Sequence, residues 1–185
     1  MAVTRRHKVF VSFHSEDMDY KDKFVNMLGD RIVDRSVGDG DVDKNLNTAE
    51  IRRQIRDDFI ADATVAVVLV GCCTWQRKYV DWEIGASLTD TAKNHRCGLL
   101  GILLPSHPDY GKKNYTQRLM PPRLACNLGG DQSFADLYGW TGDKVALAGW
   151  LDRAFRRRNK DPPPDNRYVP FAKNRTTKCS KGWQS

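Results

Sequence analysis

Hydrophobic and polar positions along the chain fall into blocks that switch between two periods. Residues 8–13 (Lys8, Val9, Phe10, Val11, Ser12, Phe13) are β-branched and aromatic, apolar enough for a central strand. The pattern then becomes helical: Tyr20, Phe24, Met27 and Leu28 share one face, Ser15 or Asp17 is placed to cap it, and Gly29 to close it. Residues 31–37 read as a second, more exposed strand near a sheet edge. After a Gly/Asp loop at 38–43, Asn47 and Glu50 form a capping-box-like start, and Ile51, Ile55 and Phe59 line a helix ending near Ala61. Residues 64–71 are an unbroken apolar run, a buried strand. Val80, Ile84 and Leu88 then recur at i, i+4, i+8, one face of a helix. Residues 97–104 form another apolar strand, stopped by Pro105. From 105 to 142 the pattern breaks down, and only residues 123–128 offer a short fifth strand. Asp143 can cap a last helix with Val145, Leu147, Trp150, Leu151 and Phe155 inside.

Strands that alternate with helices must pair in parallel through right-handed crossovers. The expected fold is therefore α/β: a three-layer, doubly wound domain around a mostly parallel sheet. Pro162, Pro163 and Pro164 end helical structure. This divides the chain into a domain at 1–158 and a basic, Pro-containing tail at 159–185, in which Tyr168, Val169 and Phe171 can pack back.

Composition narrows the function. The 185 residues suit one domain with its own core. No apolar run approaches the ~20 residues that span a bilayer, so no membrane association is expected. The basic Met1 to His7 stretch precedes only a strand-length apolar segment and does not read as a signal peptide. The cytoplasm is the expected compartment. Five cysteines (Cys72, Cys73, Cys97, Cys126, Cys179) with no secretion signal read as free thiols. No C-x-x-C or H-E-x-x-H spacing occurs, so no metal site is expected. The net charge of +7 is concentrated late, at Arg153, Arg156, Arg157, Arg158, Lys160 and on to Lys181. No nucleic-acid motif accompanies it, and a solvated helix end and tail is the preferred reading.

Several chemistries common on this architecture are excluded by the residues just past each strand. There is no G-x-G-x-x-G, no P-loop and no G-x-S-x-G elbow. Gly71, Cys72 and Cys73 stand where a phosphorylated receiver needs an aspartate. The groups left at the C-terminal rim, where open α/β sheets bind ligands, are Phe13, His14 and Ser15, the 38–43 loop, and Tyr79 with Glu83. Glu83 lies about one turn into its helix, on the stripe beside the core. A surface glutamate serving the helix macrodipole would sit in the same place. The chemical alternative is cleavage of an N-glycosidic bond, in which one carboxylate stabilises positive charge at the anomeric carbon. A pyridinium leaves neutral and needs no general acid. Tyr79, Trp82 and Phe13 are candidates to stack on bases.

Residues 8–14 (Lys8, Val9, Phe10, Val11, Ser12, Phe13, His14) resemble the first-strand motif of TIR domains, and Tyr79-x-x-x-Glu83-Ile84 resembles their aromatic-x-x-x-Glu-Leu motif. The run Arg77, Lys78, Tyr79, Val80 with Trp82, Glu83 and Ile84, and the late Pro121, Pro122, Arg123, Leu124 with Asn127, are similar to the bacterial TIR-like family of the Thoeris anti-phage defence sensor (ThsB). The resemblance spans about residues 7–158 and leaves the tail uncovered. It implies a flavodoxin-like fold and an enzyme that cleaves NAD, its substrate, with no cofactor. The product would be an ADP-ribose-derived, cyclic signal that activates an effector. It makes Glu83 the catalytic residue and matches Phe13, His14 and Ser15 to the loop that lines the pocket; these three with Tyr79, Trp82 and Asp43 are the expected substrate-binding residues. It further implies self-assembly through the 38–43 loop and a phage-derived trigger. Tyr79 stands where many such domains have tryptophan. Two alternatives stay open: a non-catalytic TIR-like interaction module, and a nucleoside deoxyribosyltransferase-like enzyme.

Overall fold

Strand β1 (His7–Ser12) lies inside a five-stranded sheet in which every pairing is parallel. β2 (Ile32–Asp34) is on its outer side and β3 (Val65–Val70) on its inner side, followed by β4 (Gly98–Leu103) and β5 (Asp136–Gly139), giving the order β2-β1-β3-β4-β5. This computed structural model describes residues 6–34, 47–92, 94–130 and 133–184. The 38–43 loop and Asp43 therefore lie outside the described residues.

The period of two along each strand sends alternate side chains into two cores. Phe10, Ala66, Val68, Val70 and Leu99 face α2 (Thr48–Gln54), α3 (Lys78–Ser87) and α4 (Pro122–Ala125). Val9, Val11, Val67, Leu69, Leu100 and Ile102 face α1 (Met18–Leu28) and α5 (Lys144–Arg157). Both faces are covered, which is why β3 and β4 are buried at every position and read as continuous apolar runs. The result is a three-layer α/β, flavodoxin-like fold. Among the described residues no helix is long and apolar enough to cross a membrane.

Local signals were mostly obeyed. Asn47 and Glu50 make both arms of a capping box. Asp143 Oδ1 accepts from the backbone N–H groups of Val145 and Ala146. Gly29 closes α1 with a positive φ of 46°.

Three expectations are corrected. Residues 123–128 are not a strand: Pro122 begins a short helix there, where its fixed φ is favourable and its missing N–H costs nothing. The fifth strand is Asp136–Gly139, short and half-exposed, without the apolar run that marked β1, β3 and β4. Neither Ser15 nor Asp17 caps α1 by a side-chain bond; the imidazole Nδ1 of His14 accepts from Glu16 N–H at 2.9 Å and starts a separate 3-10 turn, Ser15–Asp17. The cysteines are not all free: Cys73 and Cys179 form a disulfide across 106 residues, while Cys72, Cys97 and Cys126 remain thiols.

The segment from 159 onward is laid back over the α3–α4 side of the domain. Its backbone bonds α3 at two points: Phe171 N–H donates to Asp81 Oδ2 at 2.9 Å, and Trp82 Nε1–H donates to Phe171 C=O at 2.8 Å. Trp183 Nε1–H donates to Met120 C=O at 2.8 Å, and Phe171 is buried. Its arginines and lysines give it the composition of a solvated tail, but the bonds run through backbone groups, which composition does not report.

Candidate functional site

Glu83 reaches the sheet because α3 is clamped by its own apolar stripe. Val80, Ile84 and Leu88 are buried in the core on that face, and the helix starts just past the C-terminal end of β3. Glu83 lies next to Ile84 on the helix and one turn beyond Tyr79. Its Oε2 accepts a 2.6 Å hydrogen bond from Ser12 Oγ, at the last residue of β1. Ser12 has the parity of Phe10 along the strand, so it points to the α3 side.

The carboxyl is densely surrounded by protein, although Glu83 as a residue is only half-buried and its hydrogen bond part-buried. Burial raises its pKa from 4.5 to about 8, and the Ser12 hydrogen bond pulls in the opposite direction. At neutral pH such a group holds its proton until a positive charge is placed beside it. A second carboxyl sits at the same rim. Asp17 is buried against Gly71, at the end of β3, where a Cβ would collide with Asp17 Oδ2. Burial raises the Asp17 pKa, and a hydrogen bond from Ser106 opposes this. The glycine at 71 is what lets this carboxyl approach the strand end.

The expected site residues are placed unequally. Tyr79 is half-buried, one turn before Glu83, with Lys78 Nζ 5.0 Å from its ring centroid. His14 is buried and spends Nδ1 on the turn that follows β1. Ser15 is exposed at the rim. Phe13 has the parity of Val9 and Val11 and packs on the α1–α5 side, which sets it apart from the Glu83 side of the sheet. Trp82 is 3% exposed and its indole N–H is taken by Phe171 C=O, so it is a packing residue rather than an open stacking platform. Asp43 lies outside the described residues. Two residues went unrecognised in the sequence: Ser12 as the partner of Glu83, and Asp17 as a buried acid. The alternation Phe10, Ser12 against Val9, Val11, Phe13 was the signal for Ser12. Cys72, Cys73 and Cys179 bring their sulfurs within 4.8 Å of one another, two of them being joined in the disulfide.

A parallel sheet in the order β2-β1-β3-β4-β5, helices on both faces, and a glutamate on the helix after β3 that meets the end of β1 define a TIR-like α/β domain. The sequence matches the family described as Thoeris protein ThsB, TIR-like domain, over residues 10–109, and the chain belongs to that family. The matched span runs from β1 through the turns after β4 and includes Ser12, Asp17, Tyr79 and Glu83. A comparison with curated proteins found no match.

Proposed function

We propose that this protein cleaves NAD at the bond between nicotinamide and ribose and turns the ADP-ribosyl part into a cyclic signal that activates an effector in anti-phage defence. The observation that carries this reading is the Ser12-bound Glu83 carboxyl, surrounded by protein at the C-terminal rim with its pKa raised to about 8. A carboxyl in low dielectric gains most from a cation placed next to it. NAD supplies that charge twice: as the pyridinium of the bound substrate, and as the oxocarbenium-like state formed when neutral nicotinamide departs. Substrate binding therefore lowers the Glu83 pKa and creates the carboxylate at the place where it stabilises C1′. Ser12 orients that carboxylate. Tyr79 flanks it one helical turn away, and Ser15 is exposed at the same rim. Attack by water on C1′ gives linear ADP-ribose; attack by a nucleophile within the same molecule gives a cyclic product.

The same reading puts the reaction in the cytoplasm, with assembly through the 38–43 loop including Asp43, a phage-derived trigger, and an effector reached only through the diffusible product. The test is to incubate the purified protein with NAD and follow products by liquid chromatography with mass detection. Nicotinamide with an ADP-ribose product lacking one water supports the reading in full. Base exchange on free nucleosides with NAD left intact would instead favour a deoxyribosyltransferase. A folded, assembling protein that cleaves neither would favour an interaction module.

A further inference from the structure

A cavity of about 640 Å³ opens between α2, α3 and the returning C-terminal segment. From α3 and the turn after it, Asp81, Trp82, Gly85, Ala86 and Thr89 line it; Ser12 and Glu83 are not among its lining residues. Its volume falls in the range of small-molecule sites, roughly 300–1,000 Å³.

The charge of this cavity is one-sided. Five arginines line it, Arg52, Arg53, Arg56, Arg123 and Arg167, against the single carboxylate of Asp81. Three of the five are already engaged. Arg123 is buried with its Nε 2.9 Å from Asp81 Oδ1, and its guanidinium also donates to the carbonyls of Asn166 and Tyr168. Arg56 pairs with Asp57 at 2.9 Å, and Arg167 with Asp165 at 3.0 Å. Arg52 and Arg53 are exposed at the mouth and make no ion pair or side-chain hydrogen bond among the described residues. Arg52 stabilises the Asp81 carboxylate only through space, as the weakest of the influences on it. Asp81 accepts the Phe171 N–H through Oδ2 and faces Arg123 through Oδ1, a charge contact without hydrogen-bond geometry, so its charge is matched within the protein.

Like charges gathered around a concave wall focus a positive potential and attract a counter-ion. Guanidinium forks match the oxygens of phosphate better than a point charge does. The remaining wall is partly apolar, from Ala86, Pro170 and the ring of Tyr168. We propose that this cavity is a binding site for a phosphate-bearing small anion with at least two negative charges, held by Arg52 and Arg53. The site is separate from the Glu83 carboxyl, and the inference does not depend on NAD cleavage. Because α2, α3 and the C-terminal segment each supply a wall, the bound anion ties the three together.

Isothermal titration calorimetry with pyrophosphate tests it, at about 0.15 M salt so that long-range attraction is screened. The expected result is saturable one-to-one binding with a Kd below about 1 mM. Arg52→Gln/Arg53→Gln weakens it at least tenfold. Both residues are exposed, and unchanged circular dichroism confirms that this variant folds. A second variant, Lys113→Gln/Lys144→Gln, removes the same charge at exposed positions outside the cavity and leaves the Kd unchanged. The inference is overturned by a Kd above about 1 mM or by absence of saturable binding. Equal affinity in wild type and Arg52→Gln/Arg53→Gln, or equal weakening by both double variants, overturns it as well.

Discussion

Ser12 Oγ lies 2.6 Å from Glu83 Oε2, so the last residue of β1 holds a carboxyl on the second turn of α3. The contact joins two segments 71 positions apart in sequence, at the rim where parallel sheets present their ligand sites. Because burial raises the pKa of that carboxyl, its proton is a reporter of both stability and chemistry.

The stability consequence has a definite sign. The Glu83 carboxyl titrates near 4.5 in the unfolded chain and at about 8 in the fold. Between these values the unfolded chain has released a proton that the folded chain keeps. Raising the pH through that window therefore weakens the fold, at a slope of up to about 1.4 kcal/mol per pH unit from this group. Glutamine does not ionise. Glu83→Gln is expected to match wild type near about pH 5 and to melt at a higher temperature than wild type near about pH 8, with the gap widening between. Parallel melting curves for the two proteins across that range would show that Glu83 is not perturbed.

The proposed NAD cleavage is expected to have the opposite dependence on pH. The ionised carboxylate is the form that stabilises a cation, so cleavage at subsaturating substrate is expected to rise with pH through about 8. The Ser12 bond holds the Glu83 pKa down. Ser12→Ala thus shifts the midpoint of the pH–rate profile upward and lowers the rate at neutral pH several-fold, while costing stability only about 1 kcal/mol. An unmoved midpoint would remove Ser12 from the site.

Much of this arrangement was legible in the chain. The apolar runs at 64–71 and 97–104 could only be buried strands, and the i, i+4 spacing of Val80, Ile84 and Leu88 oriented α3 well enough to place Glu83 beside the core stripe. Glu83 itself came from position and resemblance together. Ser12 was hidden because a lone serine within an apolar strand carries no mark of its partner, although strand parity separates it from Phe13. Asp17 was hidden because an acidic residue before a helix reads first as a cap, and only Gly71 across the rim shows that it is turned inward. How the C-terminal segment packs back was hidden for a different reason. Its contacts are backbone carbonyls and amides meeting Trp82, Asp81 and Arg123, and periodicity carries no information about them. The Cys73–Cys179 disulfide was discounted on compartment, a statistical argument that geometry overrides.

Asp81 and Arg123 are each buried to within 2–3% of full occlusion, and their pair also anchors Phe171. Asp81→Asn leaves the Arg123 guanidinium buried beside a neutral amide. The expected cost is about 3–5 kcal/mol, with loss of amide-exchange protection in the 166–171 backbone. A loss below about 1 kcal/mol would mean that the ion pair is not formed in solution.

The disulfide closes a long loop, Cys73 and Cys179 being 106 positions apart in sequence. Cys179→Ser is expected to lower stability by about 2–5 kcal/mol in denaturant melts run without reductant. Dithiothreitol should bring wild type to the same midpoint and leave the variant unchanged. Coincident midpoints for all samples would show that the two thiols are not bonded.

That Glu83 acts on NAD as a carboxylate is tested most directly by nicotinamide release from NAD at high protein concentration. Wild type is compared with Glu83→Gln at about pH 7 and about pH 9, either side of the carboxyl's titration. Release by wild type is expected to be faster at the higher pH, with a loss of at least a hundredfold in the variant at both. Equal release by the two proteins, or silence from a folded and assembled wild type at both pH values, would contradict it.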